Sequence, residues 1–475
     1  MHRFRNNSAS RCAYRLGLKH NPEFGYSAEQ AVSDIAGSGI RPGDVVLFSG
    51  HMFFDNQLDY VRRLSAENPE CQHVVLDERT TEDGHFSYAS PVMRIGGNLW
   101  IARAPEILWK DAYHRFEDVE AAPGEPELTG YCAAAAQNLR RRHYDMGEGY
   151  PEEVVREAHR YFSGVIEALE PRLVVMWNQF HAVHTVLDGV CGDMGVPRAY
   201  MEFGPLPHTY VVDDLGQMGR SRVAAMGAGD AGPPDPRGLE TARATVAGFR
   251  EQLHASGDLG MGGRPAVLYV GQNDCESGMV PYTDESRAFH SPVFRDTAEG
   301  LERLSEICRS RGWSLTFRPH PIYSRFELMK GCRRLARVDG ESRLADQIAS
   351  CDVVVTILSS SAYTALALDK PVVMLGYTQL RGKGCTYEAF DGRSVEAALD
   401  AALRDGLTEE MRSRFLEHVS HIQSSYLYED GTGLGAGQGV RRMSDALRRM
   451  ALPPAADGGS AERSQQGEPL YPHEG

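Results

Sequence analysis

The stretch whose reading decides the fold runs from Ser314 to Tyr377. It reads SLTFRPHP over 314–321 and CDVVVTILSSSAYTALALDKPVVMLGY over 351–377, with a helical interval between them. Two short apolar, strand-like runs, Leu315–Phe317 and Val353–Leu358, each break off into polar residues. The first delivers Arg318-Pro319-His320-Pro321. The second delivers Ser359-Ser360-Ser361, where a helix is expected over Ala362–Leu368. In an open α/β sheet, ligands sit beyond the carboxyl ends of the strands. A helix start in that position offers unpaired N–H groups and the positive end of a dipole, which suits phosphate. With Arg318 and a cationic His320 beside it, the stretch predicts a pocket for a nucleotide phosphate.

Outward from that pocket, size and composition narrow the class. A chain of 475 residues is too long for one ordinary core and suggests two α/β domains with appendages. Hydrophobic content of 42% and charged content of 24% are globular values. A net charge of -15 argues against a nucleic-acid partner, whose binding rests on Lys and Arg neutralising phosphates. The nine cysteines contain no C-x-x-C pair, and several fall inside apolar or helical runs, which fits buried free thiols in a reducing cytosol. No apolar run approaches the roughly 20 residues that span a bilayer. The basic N-terminus lacks an apolar core and so does not read as a secretory signal. Residues 1–25 are expected to be a solvated arm, with contact to an anionic membrane surface as the alternative.

Before the linker, strand-like and helical runs alternate. Strands are expected at Asp44–Gly50, His73–Asp77, Val92–Arg103, Leu173–Trp177 and Arg198–Glu202. Pro151 with acids behind it starts a helix whose apolar face holds Val155, Ala158, Phe162, Val165 and Leu169. The composition shifts from Gln217 to Gly263, with a Pro/Gly-rich linker at Gly229–Arg237 and a helix at Leu239–His254. A second series follows, with strands at Ala266–Val270, Leu315–Phe317, Leu335–Val338, Val353–Leu358 and Val372–Leu375, and with Ser342 as the expected cap before a helix at Leu344.

The expected organisation is an N-terminal domain over 26–225, the linker over 226–263 and a second domain over 264–430. A basic C-terminal helix over 431–451 and a disordered tail over 452–475 complete it. The fold class is α/β: two Rossmann-like domains facing across a cleft, the GT-B arrangement, with an acceptor on the first half and a nucleotide donor on the second. For the last helix, carrying Arg441, Arg442, Arg448 and Arg449, packing across the domains and lying on lipid are both open.

Trp177–Ser221, WNQFHAVHTVLDGVCGDMGVPRAYMEFGPLPHTYVVDDLGQMGRS, resembles the capsular polysaccharide biosynthesis and export family, which includes Kdo transferases. That family places a strand ending in W-N before a helix, then E-x-G-x-L-P-x-T and a D-x-x-G segment. Here Glu202–Thr209 and Asp213–Gly216 stand at those places. The second half is similar through Val270-Gly271-Gln272, Arg318–Pro321, the serine run and LALDKPVVMLGY. The resemblance spans roughly residues 40–225 and 264–390. It implies transfer of a sugar from a nucleotide-activated donor, CMP-linked sugars such as Kdo or sialic acid being favoured, to a polysaccharide or glycolipid acceptor. It also implies no metal and no further cofactor, and a cytoplasmic location with the inner membrane face left open.

The chemistry asks for these residue types. An acceptor hydroxyl needs a carboxylate to take its proton, and Glu202 is the candidate base. Charge developing on the leaving phosphate needs fixed donors. His320, Arg318, Ser359, Ser360 and Ser361 are the candidates, with Gly271 and Gln272 letting the backbone approach the donor. Asn178 and Asp213 are expected to bind the acceptor.

Blander readings stand beside these. His320 before Pro could be a turn residue, and Ser359–Ser361 only an N-cap. Asp213 could merely cap a turn. Glu82-Asp83-Gly84 rivals Glu202 as the source of the base and reads equally as a surface turn. His181 and His184 share a helical spacing without an evident third metal ligand. Gly376–Gly384 imitates a phosphate-binding loop with the wrong spacing and no Ser or Thr at its end. Two further activities remain open: glycerol-phosphate transfer from CDP-glycerol, and polysaccharide export or binding without catalysis.

Overall fold

The computed structural model describes residues 26–49, 55–77, 90–108, 118–120, 125–142, 146–227, 232, 235–254, 263–321, 326–431 and 438–451. The arm over 1–25, Glu82–Gly84 and the tail over 452–475 lie outside the described residues. In chain order the strands are β1 (Val45–Ser49), β2 (Gln72–Asp77), β3 (Val92–Gly96), β4 (Leu99–Arg103), β5 (Leu173–Trp177), β6 (Arg198–Phe203) and β7 (Thr209–Asp213). They continue with β8 (Ala266–Val270), β9 (Ser314–Arg318), β10 (Arg337–Val338), β11 (Val353–Thr356), β12 (Val372–Met374), β13 (Tyr387–Glu388) and β14 (Leu427–Glu429).

These strands form two sheets, ordered β14-β7-β6-β5-β1-β2-β4-β3 and β10-β9-β8-β11-β12-β13. The second is parallel throughout. The first is parallel from β6 to β4, with antiparallel strands at both edges. The protein is thus an α/β molecule of two Rossmann-like domains. Strands buried on both faces need apolar residues at every position. In β1, Val45 and Leu47 enter one core while Val46 and Phe48 enter the core on the other side. In β11, Val354 serves one face and Val353 and Val355 the other. The helix Tyr150–Leu169 buries all five residues of its expected stripe.

Several elements differ from the sequence reading. Val92–Arg103 is a hairpin, turning at Gly97 with φ +51, rather than one strand. β7 follows a tight turn at Pro205–His208, a segment without helical or strand periodicity. Helices at Gly130–Arg142, Ser394–Asp405 and Glu409–Ser425 were not anticipated, while the helical interval before Cys351 holds Phe326–Leu335 as well as Leu344–Ser350. Arg343, not Ser342, stands at the cap before Leu344; Ser342 donates to Asp339 Oδ2 at 2.8 Å instead.

The linker helix, Pro236–Leu253, lies against the Glu409–Ser425 helix, where Gln423 donates to Thr245 at 2.8 Å, and Arg250 pairs with Asp369 at 2.6 Å. It therefore belongs to the outer layer of the second domain.

The chain does not stay there. Residues 427–429, expected in the second domain, return to the first sheet as β14, with Leu427 opposite Val211. The helix Gly439–Ala451 then buries Met443, Ala446 and Leu447 in the core that holds Val46 and Phe48. Arg442 donates to the Gln423 and Ser424 carbonyls, and Arg448 pairs with Glu70 at 3.0 Å. Its apolar face is spent on protein, and Arg441 and Arg449 are exposed. Among the described residues, no helix is long and apolar enough to cross a membrane.

Candidate active site

A cleft of about 280 Å³ opens where carboxyl ends of strands from both sheets converge. The first domain contributes Asn178 after β5 and Glu202–Pro205 at the end of β6. From the second come Gln272–Asn273 and Glu276–Ser277 after β8, His320 after β9, Leu358–Ser360 after β11 and Thr378–Leu380 after β12. Six of the ten residues expected at the site line this one cleft: Asn178, Glu202, Gln272, His320, Ser359 and Ser360. The other four, Asp213, Gly271, Arg318 and Ser361, do not.

Glu202 sits partly buried at the cleft wall. Loss of water around its carboxyl, and secondarily the nearby Glu276, pushes its pKa up to about 7. A carboxylate poised near neutrality suits general base catalysis. His320 is held below the ordinary imidazole range by burial, against an opposing pull from Glu276. The sequence reading expected a cationic His320; burial here disfavours the charged ring.

Ser359 Oγ accepts from Ser361 N at 3.2 Å, Ser360 makes no side-chain cap bond, and the helix begins at Ser361. Ser361 turns its hydroxyl inward, away from the cleft, where it is buried without a partner. Gly271 is tightly packed: a Cβ there would stand 3.0 Å from Thr297 and 3.1 Å from Phe317, so those side chains would have to give. Arg318 points to the opposite side, donating to the Ser342 carbonyl and to Gln347 at 3.1 Å. Strand alternation explains this: Phe317 takes the core face and Arg318 the other.

Asp213 is buried, and its two oxygens accept the Leu215 and Arg222 N–H groups at 2.8 Å each. It braces a loop, as the blander reading held, and does not reach the cleft. Asn178 adopts a left-handed backbone, φ +57, and donates to the Glu276 carbonyl at 3.1 Å, so it also bridges the domains. His181 and His184 are buried, with His184 Nδ1 2.9 Å from the Asn178 carbonyl. Among the described residues, no group of three His, Cys, Asp or Glu is placed to hold a metal. Lys383, in the loop that imitates a phosphate-binding motif, instead donates to the Val223 carbonyl at 2.8 Å and to those of Met226 and Arg381.

No protein-family model matches the chain, and no curated protein matches its sequence. Among solved structures, a beta Kdo 2,7 transferase, KpsC of Thermosulfurimonas dismutans, is 17% identical, covering 59% of this chain and 86% of that one, with a TM-score of 0.37. The glycotransferase of kitacinnamycin is 13% identical, covering 87% and 100%, with a TM-score of 0.35. The wall teichoic acid polymerase TagF is 9% identical, covering 94% and 97%, with a TM-score of 0.28. Likenesses this distant leave the chemistry of the cleft to its own residues.

Sequence reasoning missed the groups that assemble the cleft. Glu276 pairs with Arg142, and Asn138 donates to the carbonyls of Cys275 and Val280 at 3.1 Å each and of Phe180 at 3.3 Å. One helix of the first domain thus holds the 275–280 loop of the second in place. At Gly219 the domains approach so closely that a Cβ would lie 2.0 Å from the Phe289 carbonyl oxygen. Asp274 was also overlooked. Its carboxylate accepts from Thr297 N at 3.0 Å and Thr297 Oγ1 at 2.6 Å, filling the start of the Thr297–Arg311 helix. That helix end is where a dinucleotide phosphate sits in a Rossmann domain. Here the chain's own Asp274 carboxyl occupies it.

Proposed function

We propose that the protein is a glycosyltransferase, moving a sugar from a nucleotide-activated donor to an acceptor hydroxyl within this cleft. The single observation that supports it best is the convergence of Glu202 from one domain with His320, Ser359 and Ser360 from the other. Glu202 takes the proton of the acceptor hydroxyl as its oxygen bonds to the anomeric carbon. The bond from that carbon to the phosphate oxygen breaks, and its electron pair leaves with the nucleotide. His320, taking up a proton, and the two serine hydroxyls meet the charge gathering on the phosphate. Asn178 and the Arg142–Glu276 pair hold the two halves in register so that base and phosphate site face one volume.

The expected acceptor is a capsular or other cell-surface glycan, by the resemblance noted in the sequence. A panel of CMP, CDP and UDP tested by thermal shift, followed by transfer assays with the sugar nucleotides, tests the reading. Stabilisation by at least one nucleotide, lost in His320→Ala, is expected. If no nucleotide stabilises the protein, the cleft is not a donor site.

A further inference from the structure

We infer that Glu276 is a positioning residue for this reaction: a carboxylate of the second domain, pinned by Arg142 of the first, whose charge acts at once on Glu202 and on His320. The inference deepens the reading above, which supplies the roles of those two groups. It starts from placement. Glu276, Glu202 and His320 line the same cleft, although they follow different strands, β8, β6 and β9. The loop that carries Glu276 is tied to the first domain. Its backbone carbonyl accepts from Asn178 Nδ2 at 3.1 Å, and Asn138 donates to the Cys275 and Val280 carbonyls at 3.1 Å each. The Glu276 carboxylate pairs with Arg142, and the two side chains are only 21% and 14% exposed. A charge held at so sheltered a place is little screened by water or salt.

The charged and titratable groups around that loop divide by side. Glu202 and His320 share the cleft with Glu276, and Arg142 reaches it from the helix Gly130–Arg142. Asp274, two residues earlier, spends its carboxylate on Thr297 and Gln272. His290, packed against Gly278, is held below the ordinary imidazole range by burial and secondarily by Arg220. Glu276 is thus a charged neighbour that base and imidazole have in common. Burial is the larger cause at each, and Glu276 adds to the rise at Glu202 while opposing the fall at His320. The chemistry asks for both effects: a base poised near neutrality, and an imidazole able to take up a proton beside a phosphate. One carboxylate serves both, because a negative charge favours the protonated form of either group. Arg142 moderates it, since a bare carboxylate would also repel the incoming phosphate.

The test is a pair of charge changes in the full chain that should act with opposite sign. Glu276→Gln removes the negative charge and keeps the backbone carbonyls that Asn138 and Asn178 hold; Arg142→Met removes the cation that offsets it. In the unliganded protein, histidine-ring NMR gives the His320 titration midpoint, with His320→Gln identifying the signal. Carboxyl-carbon NMR gives that of Glu202, with Glu202→Gln identifying it. Glu276→Gln should lower both midpoints, Arg142→Met should raise both, and the double variant should fall between them. Glu276→Asp, which keeps the charge, should lie closer to wild type than Glu276→Gln, and it carries the test if Arg142→Met does not fold. A merely structural role predicts otherwise: a loosened loop admits water and moves Glu202 down and His320 up in every variant. That pattern, or midpoints that do not move, overturns the inference. Thermal shift with CMP, CDP and UDP on the same samples reads the donor site separately. Opposite shifts in the two variants without any nucleotide effect support the coupling and remove the donor-site reading.

Discussion

Glu202→Gln separates the proposed base from a merely buried acid, because its effect on stability has a sign set by pH. The wild-type carboxyl moves from an ordinary 4.5 to about 7 on folding. Its folded form therefore holds a proton that the unfolded chain gives up between those values, so wild-type stability falls as pH rises through that window and the loss is complete above about 7. Each pH unit is worth about 1.4 kcal/mol, so the full penalty at pH 8.5 is roughly 3 kcal/mol. Partial access of water to the cleft wall discounts this to about 1–2 kcal/mol. The uncharged glutamine avoids it. Scanning calorimetry should find Glu202→Gln close to wild type at pH 4.5 and more stable at pH 8.5 by a few degrees. Transfer by the variant should drop by about 10²–10⁴. A stability difference that does not change with pH would refute the raised pKa, and with it the case for a base tuned to neutrality.

Other expectations are simpler. His320→Ala should lower transfer at least about 100-fold with a nearly unchanged melting temperature, and a fully active variant would end the assignment. Because burial keeps His320 neutral in the unliganded protein, nucleotide binding should take up a proton near pH 7; titration in buffers of different ionisation enthalpy reads this as a buffer-dependent heat, and equal heats would contradict it. Asp213→Ala strands the Leu215 and Arg222 N–H groups and should cost about 2–4 kcal/mol in urea unfolding, with nucleotide affinity in the folded protein unchanged. Leu447→Asp places a charge in the core shared with Val46 and Phe48 and should unfold the first domain or release the C-terminal helix, seen as new proteolytic cleavage between 430 and 451.

The cleft was partly legible because strand exits are local: an apolar run that stops at His320 or at Ser359 announces its own end. The groups that were missed act across distance. Nothing near Glu276 in the sequence indicates Arg142, 134 positions away, as its partner. Arg318 was misplaced because side-chain direction alternates along a strand, and only the packed sheet fixes which face looks into the gap. Asp213 and Glu202 read alike as acids at the ends of strands, yet one is wrapped by N–H groups and the other left short of them.

The amino-acid order alone determined the alternation of strand and helix, the split into two parallel-rich halves and the identity of the polar residues at the strand ends, because hydrophobic periodicity and turn chemistry act over a few neighbouring residues. Tertiary structure decided the rest: the return of β14 and the last helix to the first domain, the bracing of the 275–280 loop by Asn138 and Arg142, and the pKa values of Glu202 and His320. Each of these depends on burial and on the approach of groups far apart in the chain, and such distances exist only after folding.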